Sequence, residues 1–383
     1  MFNFVSLIAN KHKTRRDQKS MDAASPAVAA CSARPLRRRF GRAALKASAA
    51  GLAVVILLAG CGENATKSEG RASPAASATS SSGANEGAAE RTIAIQDAKG
   101  STEIAGIPER VVVMDYRYVE ELVALGIAPV GIADTAGYKK YMDYNPALTD
   151  GATDVGKRSE PNLEVIAGLQ PDLIIGNVSF MGDNYELLKD IAPTIAFDPF
   201  PEGGLNQLEE MEATFRTVAG IFDKQDEAER ILKELDEHFA QLKQTLIEHG
   251  KDGTEFVLGL LMNGNGNTSA AIKLYTDNAQ APQILQRLGL KAAYRSEEGA
   301  GDGSVNTTVE SLVALQEADF IYMMMQGQED VYEKQFKDNS VWQSLTFTKE
   351  NRAYRMDKYI WMFGGPTTAK VFADTVVDAL TNE

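Results

Sequence analysis

Cysteine is almost missing. Cys31 and Cys61 are the only two in 383 residues, and both precede the part of the chain that reads as globular, so neither a disulfide framework nor thiol chemistry is open to the fold. Histidine is as sparse. His12 falls in the leader, and His238 and His249 fall on one helical stretch, which excludes the multi-histidine sets that hold zinc or manganese and leaves no Ser-His or Cys-His pair. No phosphate-cradling glycine motif occurs either. Together these absences argue against an enzyme and against capture of a bare metal ion. Basic charge is short as well, once its location is considered. Residues 1–60 hold eleven Lys and Arg against Asp17 and Asp22, so the remainder has 28 basic and 51 acidic residues, a net of -23 within an overall -14. Such a body repels polyphosphate, which excludes nucleic acid as partner, and an anionic ligand would need a local basic pocket.

What is present begins with a leader. Arg34, Arg37, Arg38, Arg39, Arg42 and Lys46 precede an apolar run from Ala47 to Gly60 that is too short to span a bilayer comfortably. It reads as a signal peptide over 1–60. The run closes as Leu58-Ala59-Gly60-Cys61, which resembles the bacterial lipobox and implies a lipid on Cys61; the plainer alternative is an ordinary signal peptide with an incidental cysteine. Arg37-Arg38-Arg39-Phe40 also resembles a twin-arginine signal, and Met21 offers a later start. Residues 61–91 are Ala, Ser, Gly, Thr, Asn and Glu with almost no large apolar side chain, the composition of a flexible tether.

From Thr92 the pattern is β-α-β. Arg110–Met114 is a short unbroken apolar run, the mark of a strand buried on both faces, followed by helical spacing over Tyr118–Leu125 and a strand at Ile127–Ile132. Leu163–Leu169, Asp172–Ile175, Leu187–Ile191 and Thr194–Phe197 continue the alternation, which predicts a mainly parallel sheet covered by helices. Residues 205–248 change character. Two helices are predicted, Leu205–Ile221 joining two lobes (connecting segment 205–224) and Gln225–Glu248 opening the second; a helical hairpin within one domain is the alternative. Strand and helix signals then resume with Glu255–Leu261, Ala281–Leu288 and Phe320–Met323, so the lobes run over 92–204 and 225–383. The halves echo each other: Asn162–Gln170 aligns with Thr308–Gln316 at a constant offset, each just before a strand.

Four stretches in order, Ile107–Val113, Leu125–Gly131, Val155–Glu164 (Val-Gly-Lys-Arg-Ser-Glu-Pro-Asn-Leu-Glu) and Trp361–Gly364 (Trp-Met-Phe-Gly), resemble the iron-siderophore and cobalamin class of periplasmic-type binding proteins. The resemblance runs from about Thr92 to the end. It implies an α/β fold of two Rossmann-like lobes joined by a single long α-helix, the class III arrangement, with a largely pre-formed cleft between them. It further implies a lipid-anchored extracytoplasmic receptor, monomeric, that binds a ferric siderophore and delivers it to the permease subunits of an ABC importer. No cofactor is expected, because the iron arrives already chelated.

Arg158 matches the arginine that such receptors direct at iron-bound oxygens, and a guanidinium fork suits paired hydroxamate or carboxylate oxygens. Lys157 adds charge beside it; for both, a solvated loop pair is the alternative. Trp361 matches the family's cleft-facing aromatic, joined by Phe363, with core packing as the competing reading. Strand ends supply further candidates for the ligand site: Tyr116, Arg117, Tyr138, Phe180, Met262, Asn263, Tyr275, Met325 and Gln326. Glu164 and Glu310 match the acidic pair that meets permease arginines, or are first-turn glutamates that stabilise their helices. The loop Gly299-Ala300-Gly301-Asp302-Gly303 lacks the aromatic that hydroxamate receptors often carry there. That departure leaves a citrate-hydroxamate or catecholate ligand open; the resemblance favours a siderophore of hydroxamate or citrate-hydroxamate type, and a haem or cobalamin receptor of the same fold is the alternative.

Overall fold

In the computed structural model, the described residues are 91–382 apart from 143, 202–205, 265–270, 296–300 and 329. The signal peptide, Cys61 and the tether up to residue 90 lie outside them, as do Leu205, Gly299 and Ala300.

The described chain opens on an antiparallel hairpin, β1 (Thr92–Asp97) and β2 (Gly100–Ala105). The first lobe then alternates: β3 (Val111–Val113), α1 (Tyr116–Ala124), β4 (Gly131–Ile132), α2 (Thr135–Tyr141), α3 (Pro146–Thr149), β5 (Thr153–Asp154), α4 (Leu163–Gly168), β6 (Leu173–Asn177), α5 (Val178–Met181), α6 (Asn184–Lys189) and β7 (Thr194–Phe197). Its sheet is wholly parallel in the order β5-β4-β3-β6-β7, with Val112 paired to both Gly131 and Ile174. The side chains of Val111–Val113 and Leu173–Ile175 are essentially inaccessible. Helices cover both faces of these central strands, which is why they read as unbroken apolar runs rather than as alternations.

Two helices follow, α7 (Gln207–Ile221) and α8 (Gln225–Glu248). Leu208 and Met211 near the start of α7 belong to the second lobe's core, while Phe215, Val218 and Ile221 near its end belong to the first. Helix α8 reverses this, with Ala228 and Leu232 in the first core and Leu235, Phe239 and Leu246 in the second. The connecting helix thus runs against an antiparallel partner, and both span the lobes. Packing therefore does not change lobes at residue 225. Ion pairs reinforce this placement. Glu210 and Glu212, two residues apart and so on opposite sides of a helix, reach Arg117 of α1 (2.7 Å) and Arg287 (2.6 Å) in the second lobe. Arg91 donates to the last carbonyls of α7 at Gly220 and Ile221, and Gln283 accepts from Leu208 N at its start.

The second lobe contains β8 (Glu255–Met262), β9 (Ala271–Tyr275), α9 (Gln280–Arg287), β10 (Lys291–Ala292), β11 (Ser304–Thr307), a 3-10 turn over Val309–Leu315, β12 (Asp319–Met324), a π-helical turn over Tyr332–Phe336, α10 (Ser340–Ser344), α11 (Thr346–Lys349), β13 (Ala353–Arg355) and α12 (Pro366–Thr381). Its order is β11-β9-β8-β12-β13, with short β10 on the early part of β8. With β10 set aside, both sheets start at the centre, place their second and third strands to one side, and cross to the other for the fourth and fifth. The echoing segments Asn162–Gln170 and Thr308–Gln316 both lead into that fourth strand. The orientation differs: β9 is antiparallel to β8, and β11 to β9. Trp342, inaccessible to solvent, centres this lobe's aromatic core among Phe320, Tyr322, Tyr332, Phe336 and Phe347.

Candidate functional site

The loop that carries Arg158 is shaped by its neighbours. Gly156 sits at φ +90, where a Cβ would meet Asn162 N and Glu160 O at 2.9 Å, so only glycine fits. Lys157 and Glu160 then exchange backbone hydrogen bonds, and Asn184 donates to Ser159 O at 3.1 Å. In this tight turn the two basic residues part company. Lys157 is 74 % exposed and donates to Glu160, outside the cavity, whereas the Arg158 side chain is 18 % exposed and lies between the lobes.

The Arg158 guanidinium is framed by rings: Tyr116 at 4.3 Å, Phe180 at 4.4 Å and Trp361 at 5.2 Å from its carbon. Each lies within cation-π range, about 6 Å. Its polar partner is Asp115, 3.4 Å from Nη1, a long contact that leaves most of its donors uncommitted. Asp115 caps α1 by accepting from Arg117 N, and burial pushes its carboxyl up despite Arg158 and Arg117 nearby. Around this pair opens a cavity of 280 Å³ lined by both lobes. The first lobe contributes Asp115, Arg117, Tyr118, Arg158, Asn177, Phe180, Pro199 and Phe200, and the second Lys273, Asp302, Trp361 and Phe363. A larger depression, 860 Å³ between β13 and α12, is lined by the second lobe with its C-terminal Asn382 and has no first-lobe wall. The inter-lobe cavity brings the Arg158–Asp115 and Lys273–Asp302 pairs together with Phe180, Phe200, Trp361 and Phe363, the ordinary composition of a ligand site.

Several strand-end residues are elsewhere. Arg117 lines the cavity yet is committed below it, donating to Glu121 at 2.9 Å and Glu210 at 2.7 Å. Burial opposes its charge, but Glu210 and then Glu121 hold the guanidinium well above its ordinary value; at Glu121 burial outweighs the same attraction, and its carboxyl is pushed up to about 8. Two carboxylates share one buried cation. Tyr116 lies under Arg158 and donates to Asp134, with its hydroxyl shifted upward by burial and that bond. Tyr138 is buried behind Tyr116, and Tyr275, also buried and pushed up by burial, backs Phe363 at 6.5 Å. Met262, Asn263, Met325 and Gln326 gather at the ends of β8 and β12 without lining the cavity, Asn263 being held by Gln328 and Gln335.

A family model described as periplasmic binding protein matches residues 111–360. The chain belongs to the periplasmic binding protein family. This periplasmic binding protein is 30% identical over 298 residues to the Fe(3+)-citrate-binding protein YfmC of Bacillus subtilis, covering 76% of this chain and 86% of that one. It is 29% identical over 315 residues to YhfQ of the same organism, assigned as an ABC transporter substrate-binding lipoprotein, covering 80% and 93%. Among solved structures, the Fe3+-Desferal-bound siderophore binding protein FhuD from Vibrio cholerae superposes with a TM-score of 0.63 at 26% identity, covering 71% of this chain and 98% of that one. The two-lobed class III fold expected from the sequence is the fold of these relatives.

Seven lining residues of this binding protein escaped the sequence reading: Asp115, Tyr118, Asn177, Pro199, Phe200, Lys273 and Asp302. Asp115 follows β3 at a helix N-cap, so it reads as an ordinary cap. Lys273 is the lone charge in apolar β9, Phe200 sits between two prolines after β7, and Asp302 lies in the glycine loop; only Lys273 stands out in its segment. Lys273 pairs with Asp302 at 3.6 Å. Glu164 and Glu310 are both exposed in the first turns of the two echoing helices, Glu310 lowered by the Thr308 hydroxyl that donates to it.

Proposed function

We propose that this chain is an extracytoplasmic receptor for a ferric siderophore of hydroxamate or citrate-hydroxamate type, which it delivers to an ABC importer. The observation that carries the reading is the Arg158 guanidinium: framed by three rings, loosely tied to Asp115 and facing an inter-lobe cavity. Asp115 holds the guanidinium in place; iron-bound oxygens replace that long contact with charge-assisted hydrogen bonds, while Trp361 and Phe363 cover the apolar face of the chelate. The chemistry is recognition, with no bond made or broken. The cavity's charges are nearly balanced, Arg158 by Asp115 and Lys273 by Asp302. A chelate of low net charge fits such a wall, whereas a trianionic catecholate would face two carboxylates at close range. At 280 Å³ the cavity is at the small end of ligand pockets (about 300–1,000 Å³), so it seats one face of the chelate. A haem ligand finds less support, since none of Tyr116, Tyr138 and Tyr275 lines the cavity and Tyr116 gives its hydroxyl to Asp134.

The same reading places a lipid on Cys61, a tether over 61–91 and a monomeric receptor at the outer face of the cell membrane, with Glu164 and Glu310 meeting the permease. Among the described residues no helix is long and apolar enough to cross a membrane. The test is a titration of the full chain, followed by tryptophan fluorescence, against ferric trihydroxamate, citrate-hydroxamate and catecholate chelates, haem and cobalamin. Saturable quenching by the hydroxamate classes alone is expected; binding of haem or cobalamin alone would overturn the assignment. Charge reversal at Glu164 and Glu310 is expected to reduce uptake with affinity unchanged.

A further inference from the structure

Glu120 lies in α1 of the first lobe and is inaccessible to solvent, yet its carboxylate bonds to the second lobe. Its carboxylate accepts from Gly365 N at 2.8 Å, Thr368 N at 2.8 Å and Thr368 Oγ1 at 2.6 Å, across some 245 residues of sequence. These are the free donors at the start of α12, where Gly365 in the cap position has no side chain to supply the bond. The carboxylate of one lobe therefore caps a helix of the other. Packing there is close: a Cβ on Gly364 would lie 2.6 Å from Glu120 Oε2, and Gln280 Nε2 holds the Gly364 carbonyl at 2.8 Å. Tyr144 Oη lies 3.1 Å from Thr368 Oγ1 and, since that hydroxyl gives its one proton to Glu120, donates to it, so the first lobe touches Thr368 twice.

The segment just before this cap carries Trp361 and Phe363. Helix α1 itself starts at Tyr116, the ring that stacks beneath Arg158 and meets Trp361 edge-on at 5.4 Å. One turn along α1, Glu120 grips the end of the loop that supplies the opposite wall. The geometry points to Glu120 as a positioning residue for the cleft: by capping α12 across the lobes it sets the distance of Trp361 and Phe363 from Arg158 before any ligand arrives. This deepens the receptor reading and rests on it for the identity of the ligand, though the position of Trp361 is measured without one.

The chain has two tryptophans, and only Trp361 is accessible, because Trp342 is sealed in the second core. Acrylamide quenching of the ligand-free full chain thus reports on Trp361. In Glu120→Gln, which puts an NH₂ in place of one accepting oxygen, Trp361 is expected to become more accessible and affinity for a ferric trihydroxamate to fall by about tenfold, the scale of a lost buried charged hydrogen bond. Thr368→Val, which keeps the backbone donor, is expected to move both readouts in the same direction by less, and decides the matter alone if Glu120→Gln does not fold. A merely structural role predicts a lower Tm with Trp361 accessibility and affinity at wild-type values, and that result would overturn the proposal. If the wild-type chain binds no ferric chelate, the receptor reading fails while the quenching comparison still decides the role of Glu120.

Discussion

The two lobes share a strand order and reach the cleft by different routes. The first lobe uses the carboxyl ends of parallel strands: Asp115 after β3, Asn177 and Phe180 at and after β6, Pro199 and Phe200 after β7, the usual place for ligands in open α/β sheets. In the second lobe the corresponding ends, at Met262 and Met325, lie off the cavity. Its contributions come from the antiparallel β9 (Lys273), the loop before β11 (Asp302) and the long loop between β13 and α12 (Trp361, Phe363). Strand order repeated in a fold does not repeat the binding surface. Only Lys273 lies on the reversed strand; Asp302 precedes β11, and Trp361 and Phe363 follow β13.

The comparison makes unequal demands on the two lobes' charges. Arg158→Ala removes a loosely paired guanidinium and is expected to weaken ferric-siderophore binding by about 100-fold, two charge-assisted hydrogen bonds at the lower end of their range. Titration calorimetry measures it; a loss below about fivefold would break the asymmetry. Trp361→Ala strips a ring from the second lobe's wall, with about tenfold expected from lost contact area and cation-π stacking. Lys273→Ala, whose ammonium already has Asp302, is expected to cost only about threefold, as exposed or pre-paired ions do. At the small end, Asn263→Ala is expected to leave affinity unchanged, since its side chain accepts from Gln335 rather than lining the cavity.

A pH axis sharpens the same contrast. Burial pushes the Glu121 carboxyl up to about 8 in the folded chain, from an ordinary value of 4.5. Between those values the folded chain binds a proton that the unfolded chain has released, so this group's part in stability is present at low pH and declines as pH rises toward 8. Melting temperatures at pH 5.5 and pH 8 are expected to show a smaller decline in Glu121→Gln than in the wild type. Equal declines would mean that Glu121 is ionised in the fold.

The first lobe was the more legible in sequence, for a physical reason. Unbroken apolar runs such as Val111–Val113 mark central parallel strands, and Arg158 was singled out by the resemblance of Val-Gly-Lys-Arg-Ser-Glu-Pro to a family motif, with the turn at Gly156 emerging only in the fold. What a local pattern cannot carry is the partner across the fold. Glu121 stands four residues from Arg117 and was visible as spacing, but Glu210 is 93 residues on, and the pair turns a free-looking arginine into a buried tie. Glu120 was hidden for the same reason, since an acidic residue mid-helix reads as surface until α12 is laid against it. In the second lobe the direction of β9 is set by its pairing with β8, and nothing within Ala271–Tyr275 announces it.

A structure of the chain bound to a ferric trihydroxamate tests the central claim most directly. The account predicts an Arg158 nitrogen within about 3 Å of an iron-bound oxygen, released from Asp115, with Trp361 and Phe363 against the chelate. A chelate held elsewhere, or seated between the lobes with Arg158 still turned to Asp115, would contradict it.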